Sequence, residues 1–313
     1  MRNPRNLQYA RRRQRGVAVV TALLLTTLAV TIVASLFWQQ QVQVRSLENQ
    51  RLHLQTRWIL RGALDWARLI LRQDGMDNPD ATRADGVWAT PLAETRLDQY
   101  VERERVEGED YDATLQGQVY DAQSRYNLAN LANVSSVADK EVKAFGQLLS
   151  NLQLDASLAQ AAAQYALKAQ AAQKGGTGSA PMAFQRIEDL LMVGFSQAAI
   201  ERLRDYAIVL PVPTAVNINT APAEVLAATV EGMSLSEAQT LVASRKRTTL
   251  NVAALTTVAQ NRQVLAGVAA RSDYFLVLSQ VRLDRAALES WALIKRLEPA
   301  RGSQTSIEWI REI

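Results

Sequence analysis

The feature that most restricts this chain is an uncharged stretch near its N-terminus. From Val17 to Val44 there is no charged residue, and Val17–Trp38 is almost entirely apolar. As an α-helix this segment rises about 33 Å at ~1.5 Å per residue, enough to cross a hydrocarbon core about 30 Å thick. The apolar part of a cleaved secretory signal is shorter, roughly 7–15 residues, and ends at a small-residue site; Val33-Ala34-Ser35 is a poor match. Arg2, Arg5, Arg11, Arg12, Arg13 and Arg15 precede the span with no acid among them. That asymmetry holds the N-terminus in the cytoplasm and places Trp38 where an interfacial aromatic sits.

The same arginines explain the charge. Taking these six from the formal +4 leaves −2 for the rest of the chain. A sequence pI of 9.4 is therefore no argument for nucleic acid. There is no cysteine, so no disulfide fastens the fold. The single histidine, His53, leaves no material for His-rich zinc sites or for triads with a histidine base. No pair of carboxylates is singled out by spacing and no phosphate loop is present. The expectation is a protein that is not an enzyme and takes no organic cofactor.

Beyond the membrane the helix continues. Leu52, Ile59, Ala63, Trp66 and Ile70 share one face, and Leu60, Leu64, Ala67 and Leu71 widen it into a stripe suited to a sheet. Asp74-Gly75 and Asn78-Pro79 are stop signals. Arg96–Val106 and Ala113–Tyr120 alternate as strands do. Residues from about 135 to 265 read as helical, with a stripe of Val142, Phe145, Leu149 and Leu152, an alanine-rich Leu158–Gln173 and a flexible loop over Lys174–Ser179. Asp273–Arg282, Ala292–Leu297 and Ser306–Ile310 read as strands again. Strands, a long helical block, then strands predict an α+β fold with an all-α domain inserted in an antiparallel sheet.

Two further features carry chemistry. Val216-Asn-Ile-Asn-Thr-Ala-Pro-Ala-Glu-Val-Leu226, Gly232-Met-Ser and Ala238–Arg247 have the outline of a helix-hairpin-helix unit, with Thr220 as N-cap, Pro222 in the first turn and Ser234/Glu237 as a capping box. In DNA-binding forms, hairpin amides and nearby basic residues hold phosphate, and Arg245-Lys246-Arg247 supplies such a cluster. The Gly-Met-Ser hairpin and the acidic body oppose that reading, so a membrane-anchored DNA-binding protein of a competence-type uptake system is the alternative function. Asp74, Asp77, Asp80 and Asp85 crowd one turn-rich loop, and Glu107, Glu109, Asp110 and Asp112 another. Both are candidate Ca2+ sites or plain solvated loops; neither has the EF-hand spacing.

The junction Arg15-Gly16-Val17, a basic leader followed by an unbroken apolar helix, resembles a type IV prepilin or pseudopilin N-terminus; a simple single-pass anchor is the other reading of that segment. Asp121-Ala-Gln-Ser-Arg-Tyr-Asn-Leu-Ala-Asn-Leu131 resembles the D-x-Q-x-R-[FY]-N-L segment of the GspK family of minor pseudopilins, whose members also carry an N-I-N-T-A segment in a helical insertion. The resemblance covers nearly the whole chain. It implies a leader over 1–16 removed by a prepilin peptidase after Gly16, with methylation of Val17 as the mature N-terminus. It further implies a transmembrane helix over 17–38, a pseudopilin helix and first strands over 39–131, a helix-hairpin-helix (SAM-like) domain over 132–268 and closing strands over 269–313. Most pilin-like subunits carry Glu at the fifth mature position. Here it is Thr21, as the resemblance implies for a subunit at the filament tip. Implied too are an inner-membrane anchor with a periplasmic body, GspI-, GspJ- and GspH-like partners, and calcium, which related pseudopilins bind.

Overall fold

The computed structural model describes residues 15–97, 113–133, 135–173, 181–259, 261–297 and 304–313. By its internal contacts the chain divides into two units, Met1–Gln55 and Thr56–Ile313.

The first unit is helical. Helix α1 (Arg15–Asp77) begins there, and its apolar side chains from Val17 to Phe37 have no protein cover. Thr21, Thr26, Thr27 and Thr31 each return their hydroxyl to a backbone carbonyl three or four residues earlier. A helix whose polar groups are satisfied internally, and whose surface is apolar all round, is what lipid demands of a spanning segment.

In the second unit α1 is followed by β1 (Leu92–Arg96), β2 (Ala113–Asp121) and the two-residue β3 (Tyr126–Asn127). Then come α2 (Asp139–Asn151), α3 (Leu158–Gln173), α4 (Gln197–Leu203), the short β4 (Ala207–Ile208) and β5 (Val216–Asn217), α5 (Ala223–Ala228), α6 (Leu235–Ser244), α7 (Val252–Ala259) and β6 (Val268–Ala269). The long strands β7 (Tyr274–Leu283), β8 (Ala286–Arg296) and β9 (Thr305–Glu312) close the chain. One five-stranded sheet has the order β1-β2-β7-β8-β9, antiparallel throughout. All of α2–α7 lies, in sequence, between the paired strands β2 and β7.

Side chains on a strand alternate between faces, and β7 uses both. Phe275, Val277 and Val281 meet Leu60, Leu64, Ala67 and Leu71 of α1. Tyr274 and Leu276 face the other way, with Ile208, Leu210 and Leu293. The helices bury their own core around Tyr126, Phe145, Leu149, Leu190, Ile200 and Leu226.

Several expectations need correction. Of the two apolar lines on α1, the buried one is Leu60–Leu64–Ala67–Leu71. Ile59, Ala63 and Ile70 only flank it, and Trp66 is 49% exposed. The helix runs past Gly75 to Asp77 because Arg296 lies against its last turn: a Cβ on Gly75 would stand 3.0 Å from the Arg296 side chain. Strand β8 starts at Ala286, not Ala292, since Asp284 takes up a left-handed conformation (φ 51°) that closes a two-residue hairpin. Of the strand expected over Arg96–Val106, residues from 98 on lie outside the described residues, and β1 ends at Arg96.

Candidate functional site

At the N-terminus the processing candidates Gly16 and Val17 lie in the first turns of α1. Nothing approaches within 4 Å of the place a Gly16 Cβ would occupy. Thr21 Oγ1 donates to the carbonyls of Val17 and Ala18, at 3.0 Å each. This back-bonding satisfies the hydroxyl within its own helix.

The second site is a polar junction where the two family-like motifs meet. Asp121, at the end of β2, accepts from Gln123 N (2.8 Å), Asn217 Nδ2 (2.8 Å), Ser272 Oγ (2.6 Å) and Thr220 Oγ1 (2.5 Å). Gln123 Oε1 accepts from the amides of Asp273 and Tyr274, and its Nε2 donates to Ala215 O. Asn127 reaches the chain after β4: its Oδ1 accepts from Leu210 N, and its Nδ2 donates to Val212 O. Asn219 holds both the amide and the carbonyl of Leu250. Within this turn Asp121 accepts from Gln123 N, Asn127 accepts from Ala129 N and Ser124 Oγ donates to Asp121 O, while Asp121, Gln123 and Asn127 also reach residues more than eighty positions away. Thr220 is not the cap of α5, where Pro222 stands; its hydroxyl is spent on Asp121. Burial pushes the Asp121 carboxyl above the usual carboxylate range, opposed by the bonds from Ser272, Thr220 and Asn217.

Next to it, fully buried Arg296 closes the end of β8 onto α1. Its Nη1 donates to Asp74 Oδ2 (2.7 Å) and Leu71 O (3.2 Å), and its Nη2 to Thr82 Oγ1 (2.6 Å) and Ser272 O (3.0 Å). Its guanidinium also stacks over the Phe275 ring, 4.8 Å from the centroid. Sequence reasoning missed Arg296, Thr82 and Ser272. The available signal was parity: Arg296 continues the Ala292–Ile294 line that faces the helix.

This geometry corrects the first acidic loop. Asp74 is the counter-ion of Arg296, Asp85 is paired with Arg83 (2.6 Å), and Asp77 accepts from Gln73 Nε2 (2.9 Å). Asp80 is exposed in the loop. No three acidic or histidine side chains converge on a metal position among the described residues. The four aspartates do not fit a calcium ion, because Asp74 is committed to a buried charge. Glu107, Glu109, Asp110 and Asp112 lie outside the described residues.

Three amides of the hairpin between α5 and α6 are already bonded within the protein. Glu231 N donates to Gln263 O, Met233 N to Val230 O and Ser234 N to the Glu237 carboxylate. The bond from Arg262, with those from Ser234, holds the Glu237 carboxyl down at about 2, and the resulting ion pair with Arg262 (2.8 Å) closes over the hairpin. Arg245 turns inward, its Nη1 donating to Ala221 O and Ile218 O.

An apolar N-terminal helix long enough to cross a membrane, whose continuation packs on an antiparallel sheet, is the build of a pilin-like structural component. Two family models, both described as type II secretion system (T2SS), protein K, match residues 124–212 and 216–277. The type II secretion system protein K of Pseudomonas aeruginosa is 28% identical over 265 residues, spanning 76% of this chain and 74% of that one. The fold is similar to a chain in the crystal structure of the GspK-GspI-GspJ complex from the enterotoxigenic Escherichia coli type 2 secretion system. The TM-score is 0.61 at 16% identity, covering 85% of this chain and 98% of that one. The two family models and the curated relative support a type II secretion protein of the GspK kind, a minor pseudopilin. Asn127, Asn217, Asn219, Thr220 and Ser272 fall inside the matched ranges, whereas Asp121 and Gln123 precede the first of them.

Proposed function

We propose that the chain caps the tip of a type II secretion pseudopilus as a single copy, assembling with GspI- and GspJ-like companions, and a GspH-like one, to start the filament and promote export. The observation that carries this reading is Thr21. A carboxylate in lipid needs a cationic partner, and in pilin-like filaments the fifth-position Glu finds it in a neighbour's N-terminal amine. The Thr21 hydroxyl instead bonds back to Val17 and Ala18, so it requires no subunit above it. Similarity to a chain of the GspK-GspI-GspJ complex supports the companions.

On the same reading a prepilin peptidase cuts after Gly16 and methylates Val17. The apolar helix anchors the chain in the inner membrane with the body in the periplasm. The α2–α7 segment is then an inserted domain of helix-hairpin-helix type, whose hairpin serves packing and partner contact. Calcium is proposed for the chain without ligands from the 74–85 loop.

Thr21→Glu tests the tip role. The variant should insert in the membrane, yet lower secretion at least about tenfold, because it buries a carboxylate with no partner. Normal secretion by Thr21→Glu would remove the tip assignment.

A further inference from the structure

Between α3 and α4 the chain from 181 to 186 has neither helix nor strand, and it leads into a 3-10 turn over Ile187–Val193. Tyr165 of α3 fastens this strap at three points. Its ring stacks on Phe184, with centroids 4.8 Å apart. Its hydroxyl lies 3.1 Å from the Met182 carbonyl and 3.5 Å from Met192 Sδ. The strap also meets β9, where Arg311 Nη2 donates to Gln185 O (3.0 Å).

A phenol carries one hydrogen, so the two acceptors compete for it. A carbonyl is a good acceptor and a thioether a weak one, which gives the hydrogen to Met182. Oxidation of the sulfur reverses that order. A peroxide transfers one oxygen atom to it: a sulfur lone pair forms the S–O bond and the O–O bond breaks. The proton of the transferred oxygen passes to the leaving oxygen, which departs as water or an alcohol. The sulfur is oxidised by two electrons and the peroxide reduced by two. The sulfoxide oxygen is a strong acceptor and stands one bond beyond the sulfur, facing the same hydroxyl.

Access favours this reaction. Met192 is 58% exposed, whereas Met233 is buried. The chain has no cysteine to react first. Met76 and Met182 are exposed as well, but Met192 alone among the described methionines has a donor on its sulfur.

We infer that Met192 is an oxidative modification site that works as a latch. As a thioether it leaves the Tyr165 hydroxyl on the Met182 carbonyl; as a sulfoxide it takes that hydroxyl and frees the strap. Because Arg311 holds the strap at Gln185, oxidation loosens the contact between the helical segment and β9. Methionine sulfoxide reductases reverse the reaction, so the latch can reset.

The test treats the full chain in detergent with hydrogen peroxide and reads peptide mass and backbone hydrogen exchange together. The parent form carries Met182→Leu, which removes a competing thioether and keeps the carbonyl that Tyr165 bonds. Met192 should gain one oxygen while Met233 stays reduced, and exchange over 182–186 should quicken at least about threefold. Reductase treatment should restore both. Adding Met192→Leu should abolish the response to peroxide. Adding Tyr165→Phe should quicken exchange before treatment and leave peroxide nothing further to release. A reduced Met192 under conditions that oxidise Met76, or unchanged exchange over 182–186 once Met192 is oxidised, would overturn the latch. So would an equal response in the form carrying Met192→Leu.

Discussion

Removing Asp74 tests the polar junction most sharply. Arg296 is fully buried and Asp74 nearly so, and the carboxylate is the one acid in contact with that guanidinium among the described residues. Breaking a buried pair from one side leaves a charge without compensation, which typically costs 3–5 kcal/mol. Asp74→Ala should therefore lose about 4 kcal/mol. For a domain of about 150–250 residues, 1 kcal/mol moves Tm by roughly 2–4 °C, so the expected fall is about 6–20 °C. Arg296→Met with Asp74→Ala removes both charges and should recover more than half of that loss, since the Met stem still fills the space against Phe275 and Gly75. Urea unfolding of the full chain in detergent, run as a double-mutant cycle, measures the coupling. A cost below about 1 kcal/mol for Asp74→Ala, or strict additivity in the cycle, would refute the assignment of Asp74 as the required counter-ion.

Three further outcomes follow from the same structure. Burial raises the Asp121 carboxyl, so its protonated form contributes stability that is complete below the unfolded value of about 3.9 and is lost as pH rises through the folded one. The stability gap between wild type and Asp121→Ala, about 2 kcal/mol at neutral pH from orphaned donors, should widen from pH 8 to pH 4; a narrowing gap would mean that the four donors outweigh burial. Intact-mass analysis should show loss of Met1–Gly16 and a methyl group on Val17, while Gly16→Leu should keep the leader; a mature chain beginning at Met1 or near Ser35 contradicts the processing. Chelation should lower the Tm of the full chain, calcium should restore it by mass action, and Asp77→Ala with Asp80→Ala should leave the response intact; identical curves with and without chelator remove calcium.

The legible parts of the fold were those set by local physics. An apolar run of Val17–Trp38 has one solution in lipid. The alanine-rich α3 and the Ser234/Glu237 capping box of α6 follow local rules, and both are present. Less legible were choices made by tertiary contact. Both apolar lines on α1 satisfy helical spacing, and only the position of β7 and β8 decides that Leu60–Leu71 is buried while Trp66 is half open. The acidic loop read as a possible metal site because the partner of Asp74 lies more than two hundred residues away, on β8. Asp121 and Asn217 were each visible as motif residues. That they bond to one another depends on the chain returning from the helical segment to the start of β7, which no spacing encodes.

A single-copy subunit at the head of a filament fixes the stoichiometry of the complex it forms. Native mass spectrometry of the complex purified through this chain, co-expressed with its companion pseudopilins, should give one copy of this chain with GspI- and GspJ-like subunits. Two or more copies per complex, this chain repeated along native filaments, or a chain that purifies without companions would rule out the single-copy tip subunit.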